Sequence, residues 1–305
     1  MKRFAVIDLG TNTFHLLIAG RKSSTEFIEI YRERIYVRIG KEGMYRFSRP
    51  AVKRAMDAMA KFRKIIDLFE AVEVRGFATE AFRQAQNADV LIKRIFRTHQ
   101  IPVDIISGSE EARLIFEGVR FVGALQRNDN LIMDIGGGSV ELIIGSNKTI
   151  KWSVSIPIGV SVLKNKFHHS EPISKIELCD LRMFIKKRIK VLADEMNRYT
   201  FNTLIGCSGT FDVLGDALPL AEQINSCKIL RKRDFNQFLK KIEGLNLEER
   251  KSFETIPENR ADLIVVALVL LDEVLQLSPN FEFILVSPYA LKEGLIAEMI
   301  RSYSV

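Results

Sequence analysis

Short apolar runs closed by turn residues alternate along the chain with longer stretches whose apolar positions recur at helical spacing. Residues 4–9, 14–20 and 26–40 read as strands, punctuated by Gly10, Gly20 and Gly40. Ser48-Arg49-Pro50 opens a predicted helix reaching about Ala71, with proline in its first turn. Val72–Thr79 reads as a strand, followed by a polar helical stretch to Thr98 and a short strand at Val103–Ile106. Ser109-Glu110-Glu111 starts a helix through Gly118, its serine and carboxylates suited to the orphan N–H groups of a first turn. A second series begins near Leu131 with a hairpin, a strand at 151–157 and a basic amphipathic helix from about Ile173 to Arg198. Thr203–Cys207 is a strand ending in the turn Ser208-Gly209-Thr210. Helices follow through 232–277, then a strand at Phe281–Val286 and a last helix around Tyr289–Tyr303. The longest apolar run, Leu263–Leu271, is too short to span a bilayer and predicts a buried helix.

One pattern occurs twice. Val6-Ile7-Asp8-Leu9-Gly10-Thr11-Asn12-Thr13 leads into Leu16-Leu17-Ile18, and Ile132-Met133-Asp134-Ile135-Gly136-Gly137-Gly138-Ser139 leads into Leu142-Ile143-Ile144. Asp, Gly, hydroxyl residue and apolar run fall at identical offsets. Each copy predicts a strand, a tight turn and a second strand. Glycine and small hydroxyl residues let backbone N–H groups approach a ligand, so each turn suits a phosphate. A carboxylate at the strand end suits a metal ion carried by that phosphate. Two α/β units led by one motif predict a duplicated fold with a cleft between the halves, ligands lying at the carboxyl ends of strands. The polar run Gln126-Arg127-Asn128-Asp129-Asn130 sets the expected boundary, giving domains 1–124 and 125–305.

A chain of 305 residues that is 47% hydrophobic suits two ordinary soluble domains. Its net charge of +7 fits either a solvated Lys-rich surface or a polyanionic partner. No nucleic-acid-binding signature accompanies the charge, so nucleic acid is not expected. Three widely spaced cysteines, Cys179, Cys207 and Cys227, imply neither a disulfide framework nor a metal knuckle, which suits a cytoplasmic protein. Asp8 interrupts the N-terminal apolar run too early for a signal peptide, and no membrane partner is expected. The turns match neither a Walker A loop nor a dinucleotide fingerprint. His15, His99, His168 and His169 lack metal-ligand spacing and read as surface or packing residues; Trp152 and the phenylalanines read as core.

Further motifs follow in order: Ala78-Thr79-Glu80-Ala81-Phe82-Arg83, Ser107-Gly108-Ser109-Glu110-Glu111-Ala112-Arg113, Ile156-Pro157-Ile158-Gly159, Cys207-Ser208-Gly209-Thr210, Asn259-Arg260-Ala261-Asp262 and Tyr289-Ala290-Leu291-Lys292-Glu293-Gly294. With the two Asp-x-Gly turns, they resemble the exopolyphosphatase / guanosine pentaphosphate phosphohydrolase (Ppx/GppA) family, of the actin-like and sugar-kinase superfamily. The resemblance implies an α/β fold of two duplicated actin-like (ribonuclease H-like) domains with an interdomain cleft. It implies a metal-dependent hydrolase that releases orthophosphate from the end of inorganic polyphosphate, with conversion of pppGpp to ppGpp as the sister activity. Glu111 becomes the residue that activates water, with Glu110 as its fallback. Mg²⁺, with Mn²⁺ as a substitute, falls to Asp134, to Asp8 in the first half and to Glu141. The phosphate cradle becomes Gly10, Thr11, Asn12 and Thr13, Gly136, Gly137, Gly138 and Ser139, and Ser208, Gly209 and Thr210. Arg83 reaches a substrate phosphate, and Arg260 does so more weakly.

Plainer readings stand beside these. Acidic residues serve helix N-termini, and aspartates brace their own turns. Arg83, Lys186-Lys187-Arg188 and Arg231-Lys232-Arg233 equally fit solvated helix faces, although the two runs could guide a polyphosphate chain. Thr11 and Thr13 stand where relatives often have Ser, and Val140 where Thr is common. Longer relatives add a C-terminal all-helical region, so weaker retention of very long polymers is expected. A homodimer is expected from the resemblance alone. A kinase-like phosphotransferase and a non-catalytic guanosine tetraphosphate sensor are the competing functions.

Overall fold

The computed structural model describes residues 1–23, 25–125 and 129–303. The chain divides into two units, Met1–Gly118 with Leu291–Val305, and Val119–Ala290. Gln126, Arg127 and Asn128, part of the run that set the expected boundary, lie outside the described residues.

The first unit opens with strands β1 (Arg3–Leu9), β2 (Phe14–Arg21) and β3 (Phe27–Ile35). Helix α1 (Arg49–Leu68), strand β4 (Glu73–Ala78), helices α2 (Glu80–Gln84) and α3 (Ala88–His99), strand β5 (Val103–Ile105) and helix α4 (Gly108–Phe121) follow. The sheet order is β3-β2-β1-β4-β5, with β1–β2 and β2–β3 antiparallel and β1–β4 and β4–β5 parallel. Phe4 to Ile7 and Leu9 are fully buried, as in a central strand covered on both faces. Ser48 caps α1 by accepting from the Ala51 N–H, and Ala55, Met59, Phe62 and Ile66 form its buried stripe. The third strand is shorter than its expected span of 26–40. The backbone N–H groups of Arg38 and Ile39 bond instead to the first turn, at Asn12 O and Thr11 O.

The second unit contains β6 (Asn130–Ile135), β7 (Val140–Gly145), β8 (Ile150–Ile156), α5 (Val160–Phe167), α6 (Lys175–Met196), β9 (Thr203–Cys207), α7 (Gly209–Ala217) and the hairpin β10 (Leu220–Ile224) and β11 (Cys227–Arg231). Helices α8 (Lys232–Glu243), α9 (Leu247–Lys251) and α10 (Ile264–Leu275) and strand β12 (Phe283–Val286) complete it. Its sheet runs β8-β7-β6-β9-β12-β11-β10. The first five strands repeat the order and directions of the first sheet, β6 standing for β1 and β9 for β4. The duplication expected from two turns therefore extends through both sheets. The β10–β11 hairpin is an addition that periodicity did not predict, because β10 is exposed along most of its length. Every residue of α10 is buried, as its unbroken apolar run requires. Among the described residues, no helix is long and apolar enough to cross a membrane.

The terminal helix α11 (Leu291–Ser302) returns to the first unit, whereas the expected boundary had assigned it to the second. A Cβ on Gly294 would lie 1.9 Å from the Leu114 carbonyl oxygen, so only glycine permits this approach of α11 to α4. Arg113 links Glu110 on α4 to Glu298 on α11, and Arg301 Nη2 reaches Glu117 Oε2 at 3.0 Å.

Candidate active site

Both Asp-x-Gly turns close alike. The Gly10 N–H donates to Thr13 O at 3.1 Å, and the Gly136 N–H donates to Ser139 O at 3.0 Å. In each unit the strand pairing places the aspartate opposite a fixed residue, Asp8 opposite His15 and Asp134 opposite Glu141. What lies behind each turn decides what it offers in front. In the second unit, the N–H groups of Gly159, Val160 and Ser161 donate to the carbonyls of Gly138, Gly136 and Gly137 at 3.0, 3.0 and 2.9 Å. A trans peptide points its carbonyl and its N–H in opposite directions. The amides of Gly137, Gly138 and Ser139 therefore face away from α5, as three adjacent donors for an anion. In the first unit, Arg38 and Ile39 play the part of α5. They hold the carbonyls of Asn12 and Thr11 at 2.8 and 3.0 Å, which turns the N–H groups of Asn12 and Thr13 the other way. Arg54 on α1 anchors this strap by donating to Val37 O and Arg38 O. Thr11 Oγ1 is buried without a hydrogen-bond partner among the described residues, the condition of a hydroxyl that a ligand satisfies.

In the second unit, Asp134 is buried at the end of β6 and accepts from Ser208 Oγ at 2.9 Å. Ser208 stands at φ +70° and ψ −175°, a region nearly reserved for glycine. Such strain persists where the surroundings enforce it, and here it accompanies a hydroxyl held on the carboxylate. Gly209 follows for a second reason. A Cβ there would fall 1.4 Å from Arg260 Nη1, so the Arg260 guanidinium lies directly against this turn. Among the described residues Arg260 forms no ion pair. Thr210 is buried in the first turn of α7. Glu141, almost fully buried, accepts from Ser139 Oγ at 2.8 Å and Ser155 Oγ at 2.6 Å through one oxygen. It thereby fixes the hydroxyl of the glycine-rich turn.

In the first unit, Glu111 is 7% exposed in the first turn of α4, and its Oε2 accepts from Arg83 Nη1 at 2.7 Å. Arg83 projects from α2, directly after β4. Its Nε and Nη2 donate to Glu80 Oε2, and Nη1 also reaches Ile106 O. Burial works against the Arg83 charge, but Glu111 and Glu80 outweigh it and raise its pKa above the ordinary value. Glu110 points elsewhere. Its two oxygens take a fork from Arg113, whose hydrogen bonds hold that carboxyl below its ordinary range. The structure thus separates the adjacent glutamates, one committed to a half-exposed ion pair and one buried against Arg83. Asp8 lies half-buried, with Oδ1 3.9 Å from where a Gly10 Cβ would sit.

Among the described residues, no group of three or more His, Cys, Asp or Glu is gathered to hold a metal. Mg²⁺ is commonly held by one or two carboxylates together with substrate phosphates and water. A buried Asp134 beside hydroxyl and amide donors fits that mode, with Asp8 in the corresponding place of the first unit. Sequence reasoning missed the strained Ser208 and the backing of the turn by Gly159; the Pro-Ile-Gly signal for the latter was visible without its purpose.

A family model described as the Ppx/GppA phosphatase family matches residues 18–303. An exopolyphosphatase from Cytophaga hutchinsonii is 36% identical, with a TM-score of 0.92 over 99% of both chains. A Ppx/GppA family member from Aquifex aeolicus, 23% identical with a TM-score of 0.81 over 99% of both chains, shares the fold. A bifunctional 3-dehydroquinate synthase/phosphatase from Fusobacterium nucleatum is 32% identical over 98% of this chain and 46% of its own length. The guanosine-5'-triphosphate,3'-diphosphate pyrophosphatase of Aeromonas salmonicida is 28% identical over 96% of this chain and 58% of its own length. The chain spans about half the length of these curated relatives.

Proposed function

We propose, from the premise that the chain belongs to the Ppx/GppA phosphatase family, that it hydrolyses the terminal phosphoanhydride bond of inorganic polyphosphate and releases orthophosphate. Glu111 takes the proton of the attacking water as the new P–O bond forms, and the bridging oxygen leaves on the shortened chain. In the second unit the outward-facing amides of Gly137, Gly138 and Ser139 hold phosphate oxygens, and in the first unit those of Asn12 and Thr13 do so. Arg83 holds Glu111 in place, and Arg260 takes a phosphate oxygen beside Gly209. Mg²⁺ held by Asp134, when bound, neutralises charge on the transferring phosphoryl group.

The observation that carries this reading is the buried Glu111 carboxylate fixed by Arg83. Polyphosphate is preferred because the 36% identical exopolyphosphatase matches this chain from end to end. The pppGpp phosphohydrolase reading draws on the name of the Aeromonas relative. Phosphate release from polyphosphate and from pppGpp, measured side by side with purified protein, tests the choice. Faster release from polyphosphate, abolished by EDTA and restored by Mg²⁺, is expected. Release from pppGpp alone selects the sister activity, and ATP-dependent phosphorylation of a sugar with no phosphate release selects the kinase-like reading.

A further inference from the structure

Arg250 is a charged side chain with no exposed surface, on the five-residue helix α9. A cation so buried is costly unless fully paired, and this one is. Its Nε donates to Ala261 O at 2.8 Å and its Nη1 to Leu245 O at 2.5 Å. Its Nη2 reaches both oxygens of Glu171, at 2.9 and 2.7 Å. These bonds tie together three segments: the end of α8, the stretch after α5 and the 3-10 turn Glu258–Arg260. That turn buries no side chain of its own. The Arg250 Nε bond falls on the carbonyl immediately after Arg260. The Arg260 guanidinium is the group that lies against Gly209, the residue after the strained Ser208.

We propose that Arg250 is a positioning residue, whose bond to the Ala261 carbonyl holds the Glu258–Arg260 turn so that the Arg260 fork stays aimed at a phosphate bound beside Ser208 and Gly209. The inference rests on the phosphate-binding reading of Arg260 given above. Arginine suits the task because a planar fork fixes several acceptors at once, which a lysine ammonium cannot do at the same points. The same guanidinium engages Glu171, just beyond the helix whose N-terminus backs the glycine-rich turn.

A double-mutant cycle tests this. Arg250→Lys, Arg260→Ala and the double variant are compared with the wild type for the Kd of tripolyphosphate with Mg²⁺, by calorimetry, and for melting temperature. Arg260→Ala is expected to weaken binding about tenfold or more, the scale of a lost charge-assisted hydrogen bond. Arg250→Lys is expected to weaken it about fivefold alone but less than about twofold in the Arg260→Ala background. Its effect on melting temperature is expected to be the same in both backgrounds. An equal weakening in both backgrounds would mean that Arg250 supports the fold only, and would overturn the proposal. An Arg260→Ala variant that binds like the wild type would instead remove the reading on which the proposal rests. Should Arg250→Lys fail to fold, Glu171→Gln replaces it in the cycle. That variant loosens the same guanidinium, and the same background dependence is required of it.

Discussion

Arg83 Nη1 lies 2.7 Å from Glu111 Oε2, while the rest of the same guanidinium is held by Glu80. The cation expected to reach substrate is thus first of all the group that orients the proposed base. Arg83→Met removes a cation 2.7 Å from a buried carboxylate, and losing a neighbouring cation raises a carboxyl pKa. The acid limb of the kcat–pH profile should therefore move to higher pH. The partly exposed pair should also cost about 1–3 kcal/mol of stability, less than a fully buried one. An acid limb that stays in place in Arg83→Met would remove Glu111 as the titrating base.

Gly159 concerns the turn instead of the base. A Cβ at this position would lie 2.4–2.5 Å from backbone atoms of Gly137 and Gly138. Gly159→Ala must push the first turn of α5 off the glycine-rich turn and release its three carbonyls. A fall in tripolyphosphate affinity of about tenfold or more is expected, with a loss of about 1–3 kcal/mol in denaturant unfolding. Unchanged affinity would show that the outward-facing amides do not hold the phosphate.

Much of this was legible in the chain. The paired Asp-x-Gly turns disclosed the duplication because their spacing is local and glycine has few other reasons to recur there. The choice between Glu110 and Glu111 was not legible without the resemblance. Adjacent helical residues face different directions, and only tertiary packing places Arg113 against one and Arg83 against the other. Arg250 was hidden for another reason. In the run Glu248-Glu249-Arg250-Lys251 it looks like a solvated charge, yet it is the fully buried member. The return of α11 to the first unit depends on Gly294 meeting Leu114, a contact between distant parts of the chain that periodicity does not encode.

His168 predicts a pH dependence of stability. It is fully buried, and its ring nitrogens make no hydrogen bond among the described residues, with Nε2 3.4 Å from Glu171 Oε1. Burial depresses its pKa; Glu171 and Glu177 oppose the shift, while Lys164 and Arg250 add to it. The unfolded chain therefore takes up a proton at higher pH than the folded one. Stability is full above the ordinary histidine pKa of about 6.5 and is lost as pH falls through it toward the depressed folded value. Melting temperature should fall over that window, and His168→Gln should flatten the fall. An equally steep fall in the variant would assign it to other groups.

The most direct test of the account replaces Glu111 by Gln, which keeps size and hydrogen bonding to Arg83 but removes the base. Phosphate release from polyphosphate and calorimetric binding of tripolyphosphate are measured on this variant and on the wild type. A fall in kcat of about 10²–10⁴-fold, the usual worth of a general base, with binding within about twofold of the wild type, is the predicted result. Phosphate release by Glu111→Gln at the wild-type rate would contradict the account.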